Sequence, residues 1–141
     1  MVDIFYEDMK SLSLSSDFFT NWLSKVCSLE GKVLGDLSLI FSSDEYLLKI
    51  NQDHLNHDYY TDIITFDYCE TDITGDLFIS FDRVLENATT HKVTVENERN
   101  RVVVHGLLHL IGYGDKSNEE SKLMRQLEDK YLSIVPRETI D

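Results

Sequence analysis

Two histidines, His105 and His109, lie four residues apart in an apolar segment of the chain. On a helix this spacing places both imidazoles on one face, with their Cβ atoms about 5–6 Å apart, so both can reach one metal ion. Gly112 is predicted to end that helix, because glycine tolerates the left-handed conformation of a C-terminal cap. Asp115 follows and can turn its carboxylate back toward the histidines. We therefore predict that these three residues bind one catalytic zinc ion per chain and leave a position for water, whose pKa zinc lowers to about 7.

The same spacing occurs in the metzincin pattern His-Glu-x-x-His-x-x-Gly-x-x-His, whose two histidines, glycine and third ligand correspond here to His105, His109, Gly112 and Asp115. In zincins the glutamate after the first histidine is the general base, and Gly106 takes that place here. Metal-assisted hydrolysis is thus predicted, while proteolysis is disfavoured. The alternative for these residues is a pair of core histidines hydrogen-bonded to the backbone.

The elements that must position these residues indicate an α+β fold. The histidine-bearing segment from 102 to 111 is apolar on every side, which is typical of a helix buried within a protein. A small mixed sheet of about four strands is predicted to pack with about five helices, of which this helix is central. The predicted strands are 2–6, 36–42, 61–68 and 75–82, and the predicted helices are 16–29, 43 to about 55, 82–91, 94–111 and one that starts at the 117–120 capping box.

Length and composition limit the possible classes of protein. The 141 residues fit a single domain, 1–141, which we interpret as a metal-dependent hydrolase domain. The net charge of −13 excludes a surface that attracts nucleic acid everywhere, but it leaves room for a local basic cleft. The acidic N-terminus and the lack of a long apolar run predict a cytoplasmic protein without membrane association. Cys27 and Cys69 are far apart in sequence and form no Cys-x-x-Cys pair, which predicts two reduced, semi-buried thiols without a metal or redox motif.

Three segments together carry a resemblance to a known family. These are the segments His105-Gly-Leu-Leu-His-Leu-Ile-Gly-Tyr113, Thr61-Asp-Ile-Ile-Thr-Phe66 and Gly75-Asp-Leu-Phe-Ile-Ser80. They resemble the signature and two strand motifs of the YbeY family of bacterial metal-dependent endoribonucleases. The resemblance implies a zinc-bearing α+β domain that acts on single-stranded RNA. It also implies a role in 16S rRNA 3′-end maturation and ribosome quality control.

The chain departs from the family pattern at two places. The usual third ligand of the family is histidine, and Asp115 occupies that position; a carboxylate is a competent zinc ligand, although it favours harder ions. The family arginine that precedes the Thr-Asp strand corresponds to Leu55. Another cation must then bind the RNA phosphate, and the candidates are Arg101, Lys116, Arg99, His54 and His57.

Four further residues are candidates near the site. Asp62 and Asp76 lie in the two strand motifs and are predicted to orient a ligand histidine, as carboxylates often do. Tyr60 and Tyr113 are predicted to stack on bases of single-stranded RNA. Arg101 and Lys116 complete the predicted substrate-binding set.

The predicted function is a zinc-dependent, single-strand endoribonuclease that acts as a monomer. The sequence leaves two alternatives open: a zinc metallopeptidase, and a non-catalytic zinc-binding factor for ribosome assembly. The acidic charge favours contact with a basic ribosomal protein over contact with naked RNA, so a ribosomal subunit or ribosomal protein is a further candidate partner.

Overall fold

The computed structural model describes residues 1–55 and 60–137. In these ranges it contains four strands and five helices, which confirms the α+β prediction. The strands are β1 (Val2–Tyr6), β2 (Leu34–Ser42), β3 (Ile63–Asp67) and β4 (Ile73–Ser80), and the helices are α1 (Ser16–Leu29), α2 (Asp44–Leu55), α3 (Phe81–His91), α4 (Val95–Ile111) and α5 (Asn118–Leu132).

The strands form one mixed sheet in the order β1-β2-β4-β3. β1, β2 and β4 run parallel to one another, and β3 is antiparallel to β4. The prediction that the last strand continues to Asp82 is wrong. The side chain of Ser80 accepts a hydrogen bond from the backbone N–H of Arg83 and caps α3, so the next residues already belong to that helix.

The main core lies between one face of the sheet and the helices α1 and α4. Alternate residues of β2 and β4 are fully buried in it, and Trp22 of α1 and Leu107 of α4 pack into the same cluster. The strand residues with zero exposure on this face include Leu37, Leu39, Leu77 and Ile79. The central position of α4 follows from the apolar character of its second half, as the sequence predicted.

Helix α4 begins and ends with the predicted caps. The side chain of Thr94 accepts a hydrogen bond from the N–H of Asn97, which satisfies one of the free donors at the helix start. Gly112 has a φ of 125°, which a residue with a side chain rarely adopts, and its N–H bonds back to the carbonyl of Leu108. The chain therefore leaves the helix sharply after His109, and this turn brings residues 113–115 back toward the histidines.

Helix α5 packs against α4 on the side away from the sheet. It begins with the predicted capping box, in which Ser117 and Glu120 exchange hydrogen bonds between side chain and backbone. Met124 and Tyr131 are buried on its inner face. No helix in the described ranges is long and apolar enough to cross a membrane.

The two cysteines are free, with Cys27 buried and Cys69 partly buried. Burial, reinforced by the nearby Cys69 and Glu30, raises the pKa of the Cys27 thiol to about 11. Burial is also the largest cause that raises the pKa of Cys69. Because the thiolate is the reactive and metal-binding form of cysteine, burial makes both thiols less reactive than an exposed cysteine.

Candidate metal centre

Three donor atoms converge where α4 ends. The Nε2 atoms of His105 and His109 are 2.9 Å apart, and Oδ2 of Asp115 lies 3.4 Å from the first and 3.5 Å from the second. Four ligands placed tetrahedrally at about 2.0–2.1 Å from zinc are about 3.3 Å from one another. The triangle formed by these atoms is therefore of a size that would suit three ligands of one zinc ion.

The outer nitrogen of each imidazole fixes which ring atom carries the proton. His109 Nδ1 lies 2.9 Å from the backbone carbonyl oxygen of Tyr113, which can only accept, so Nδ1 donates. His105 Nδ1 lies 2.7 Å from Oε2 of Glu128 and donates to that carboxylate. In the neutral rings both Nε2 atoms then direct lone pairs at each other and at Asp115. Such a convergence is repulsive unless a cation, a metal ion or a proton, lies between them.

Glu128 is the residue near the site that the sequence reasoning missed. Its side chain is only 6% exposed, and it connects Arg101 to His105: Oε1 accepts from Arg101 Nη1 at 2.9 Å, while Oε2 accepts from the imidazole. A carboxylate that holds the outer N–H of a ligand histidine orients the ring and makes it a stronger donor. A sequence signal existed, because Glu128 lies four residues after Met124 and three before Tyr131, on the apolar face of α5.

The contacts between His105 and Glu128 shift the pKa values of these two residues in opposite directions. Burial of the His105 imidazole disfavours its charged form, but the hydrogen bond to Glu128 and the charges of Glu128, Asp62 and Asp115 together raise its pKa above the ordinary value. Burial also opposes ionisation of Glu128, yet the hydrogen bonds from His105 and Arg101 hold the pKa of that carboxyl below its usual range. A proton and a metal ion therefore compete for the position between the histidines.

Gly106 is turned about 100° around α4 from His105 and lies against the sheet. A Cβ atom at this position would be 2.6 Å from Cδ1 of Ile63 and 3.0 Å from Cδ2 of Leu77. A side chain at this position would therefore have to displace the ends of the Ile63 and Leu77 side chains. Because residue 106 is glycine, the chain has no carboxylate at the position of the zincin general base, so the metallopeptidase alternative is not favoured.

The two strand aspartates lie in different surroundings. Asp62 precedes β3 on the histidine side, where burial is the main cause that raises its carboxyl pKa and the charge of His105 opposes that rise. Asp76 pairs with Phe66 on the other face of the sheet, in a groove with Phe78 and Tyr68. Because strand residues alternate between faces and Leu77 faces α4, Asp76 points away from the histidines. The structure therefore does not bring Asp76 to the site.

The predicted phosphate-binding cations are also separated by the fold. Arg101 lies beside the site, but Glu128 and Asp129 occupy its guanidinium at 2.9 and 2.8 Å. Arg99 is buried, with its guanidinium over the ring of Phe19. Lys116 is exposed directly after Asp115. His54 lines the groove on the other sheet face, Leu55 is 39% exposed, and His57 lies outside the described residues.

The two tyrosines are held by contacts of their own. The Tyr60 hydroxyl donates to Glu45 at 2.7 Å, and its ring lies under the guanidinium of Arg83, 5.7 Å from the ring centroid. Tyr60 is thus placed by α2 and α3. The Tyr113 hydroxyl donates to Glu30 at 2.6 Å, so its half-buried ring is directed toward α1. The backbone carbonyl of Tyr113 accepts a hydrogen bond from His109 Nδ1.

The fold and the donor triangle together define a class of protein, an α+β domain with the geometry of a metal-dependent hydrolase. The model of the family described as Endoribonuclease YbeY matches residues 5–135. The chain belongs to this family.

Individual relatives agree with this assignment. The chain is similar to the endoribonuclease YbeY of Porphyromonas gingivalis, with 52% identity over 84% of this chain and 79% of the relative. The protein of the same name from Phocaeicola vulgatus is 43% identical over 96% of this chain and 99% of its own length. A Thermotoga maritima protein whose structure was determined in solution matches with a TM-score of 0.67 and 29% identity, covering 96% of this chain and 89% of that one.

Proposed function

We propose that this chain is a zinc-dependent endoribonuclease that hydrolyses phosphodiester bonds of single-stranded RNA. The observation that carries the proposal is the convergence of His105 Nε2, His109 Nε2 and Asp115 Oδ2 within a triangle of 2.9, 3.4 and 3.5 Å, with both outer imidazole nitrogens already bonded. Membership in the YbeY family supports an RNA phosphodiester as the bond that is hydrolysed.

The residues at this centre have separate roles. A zinc ion, when bound, supplies Lewis-acid polarisation of the phosphate and lowers the pKa of a water molecule. His105, His109 and Asp115 would hold the ion. Glu128 keeps the proton of His105 on Nδ1, and the Tyr113 carbonyl does the same for His109, so both Nε2 atoms stay available as donors.

The wider role follows from the family resemblance. We propose that the single domain 1–141 acts as a monomer in the cytoplasm on the 3′ end of 16S rRNA, and that it contributes to ribosome quality control. A ribosomal subunit or ribosomal protein is the proposed context in which it meets its substrate. The acidic net charge of −13 is consistent with a partner that delivers the RNA, because it disfavours non-specific adhesion to nucleic acid.

The test combines metal content with cleavage. Mass spectrometry of purified protein should find one zinc per chain, and Asp115→Ala and His109→Ala should lose it. The zinc-loaded wild type should cleave single-stranded rRNA fragments, with activity abolished by chelator and restored by zinc. Cleavage that survives both chelation and His109→Ala would refute the proposal. Stable zinc binding together with copurification with ribosomal subunits, but without nuclease activity, would instead favour the non-catalytic assembly factor.

A further inference from the structure

A shallow open pocket of about 190 Å³ adjoins the donor triangle on the side of α5. The triangle contributes His105 and Asp115 to its lining, and α5 contributes the rest: Ser121, Met124, Arg125 and Glu128. The hydroxyl of Ser121 donates to the backbone carbonyl of Asp115 at 2.9 Å, which ties the start of α5 to the loop that carries the third donor. A group bound in this pocket therefore contacts two of the three donor residues together with side chains of α5.

The two arginines on this side of the site differ in how many of their guanidinium donors already bond a carboxylate. Arg101 is 17% exposed and bonded to two carboxylates, those of Glu128 and Asp129. Arg125 is 55% exposed, and its one contact among the described residues is Nη1 to Glu128 Oε1 at 3.5 Å. This distance is long for a hydrogen bond, and the same oxygen already accepts from Arg101 at 2.9 Å. Most donors of Arg125 are thus available to a ligand.

The chemistry of that ligand follows from the guanidinium. Its planar fork of N–H groups matches two oxygens of a phosphate and forms short, charge-assisted hydrogen bonds with them. Arg125 is one of 13 basic residues in a chain with 26 acidic residues, and it lines the pocket beside the donor triangle.

We propose that Arg125 binds a phosphate group of the RNA in this pocket, next to the metal ligands. This inference rests on the proposed function for the identity of the substrate, although binding of a phosphate can be tested without cleavage. Arg125 contacts the phosphate directly, whereas Arg101 is a positioning residue that acts through Glu128.

The experiment compares Arg125→Gln and Arg125→Lys with the control Lys122→Gln, which removes the same charge from the same helix outside the pocket. Each zinc-loaded protein is assayed for KM and kcat on a labelled single-stranded RNA, and for inorganic phosphate binding by ³¹P NMR titration. Arg125→Gln should raise KM and weaken phosphate binding about tenfold, as expected for loss of one exposed charged hydrogen bond. The salt dependence of log(kcat/KM) should become less steep by about 0.7. Arg125→Lys should restore part of the loss, and Lys122→Gln should match the wild type.

The outcomes separate this inference from the proposed function. Equal phosphate binding and KM in Arg125→Gln and Lys122→Gln would overturn the role of Arg125 and leave the nuclease assignment intact. Loss of zinc from Arg125→Gln would also overturn it, because the residue would then act by holding Glu128. If the wild type fails to cleave RNA but Arg125→Gln still weakens binding of inorganic phosphate, the phosphate site stands and the proposed function falls.

Discussion

Replacement of Glu128 by glutamine tests whether this carboxylate makes His105 a strong ligand. Glutamine has nearly the same shape, so the packing against α4 is retained. Its amide cannot accept from both Arg101 and the His105 imidazole through two oxygens, as the carboxylate does at 2.9 and 2.7 Å. Loss of such a partner typically weakens metal binding 10- to 100-fold. We therefore expect a loss of about 1.4–2.7 kcal/mol in zinc binding free energy, measured by competition with a chromogenic chelator at neutral pH.

Asp129→Asn is the matched control for this experiment. Asp129 bonds the other end of Arg101 at 2.8 Å but is 60% exposed, so its ion pair contributes little. Zinc affinity of Asp129→Asn should stay within about twofold of wild type, a limit set by the small free energy of such surface pairs. Thermal melts of the metal-free proteins verify that Glu128→Gln is folded. Equal zinc affinities in a folded Glu128→Gln and in Asp129→Asn would refute the reasoning that Glu128 orients the ligand.

Three further predictions follow from the geometry. In metal-free protein the His105–Glu128 pair should stabilise the fold most between about pH 4.5 and 6.5, the ordinary pKa values of the two groups. The raised pKa of His105 adds folding stability below pH 6.5, and the lowered pKa of Glu128 adds folding stability above pH 4.5. The difference in melting temperature between wild type and Glu128→Gln should peak in that window, shrink as pH rises through the folded-state pKa of His105, and shrink as pH falls through that of Glu128. Gly106→Glu should lose more than about 3 kcal/mol in urea denaturation, because its Cβ would overlap the Ile63 side chain at a buried position and bring an ionisable group into that interface; a stable variant with peptidase activity would contradict this. Asp115→His should retain one zinc by mass spectrometry and bind Mn²⁺ more weakly than wild type, since imidazole suits harder ions less well than carboxylate; unchanged Mn²⁺ affinity would count against Asp115 as a ligand.

The local parts of the site could be predicted from the sequence because each has a local cause. The i, i+4 spacing places His105 beside His109, and Gly112 ends the helix through its positive φ. The capping box at Ser117 likewise depends only on residues three apart. These features need no knowledge of which helix packs against which, so periodicity and capping rules are sufficient to predict them.

The parts that depend on packing between distant segments could not be predicted in the same way. Glu128 reaches His105 only because α5 folds back on α4, across 23 residues of sequence. The face of Asp76 was ambiguous, because Phe78 on its side of β4 is as apolar as Leu77 on the other. The engagement of Arg101 by two carboxylates of α5 likewise depends on that helix pairing. Sequence neighbours alone contain none of this information.

The aspartate in the third ligand position changes the electrostatic requirements of the site. Two neutral histidines and one carboxylate leave a bound dication with one positive charge less than three histidines would, so a phosphate is attracted less strongly. The charge of Arg101 is offset by the adjacent carboxylate of Glu128, so Arg101 adds little attraction for a phosphate. The missing attraction must come from cations that other groups leave available, and Arg125 and Lys116 are exposed beside Asp115. An acidic chain can thus act on a polyanion when its few available cations lie at the centre that holds the metal ligands, while the rest of its surface repels non-specific RNA.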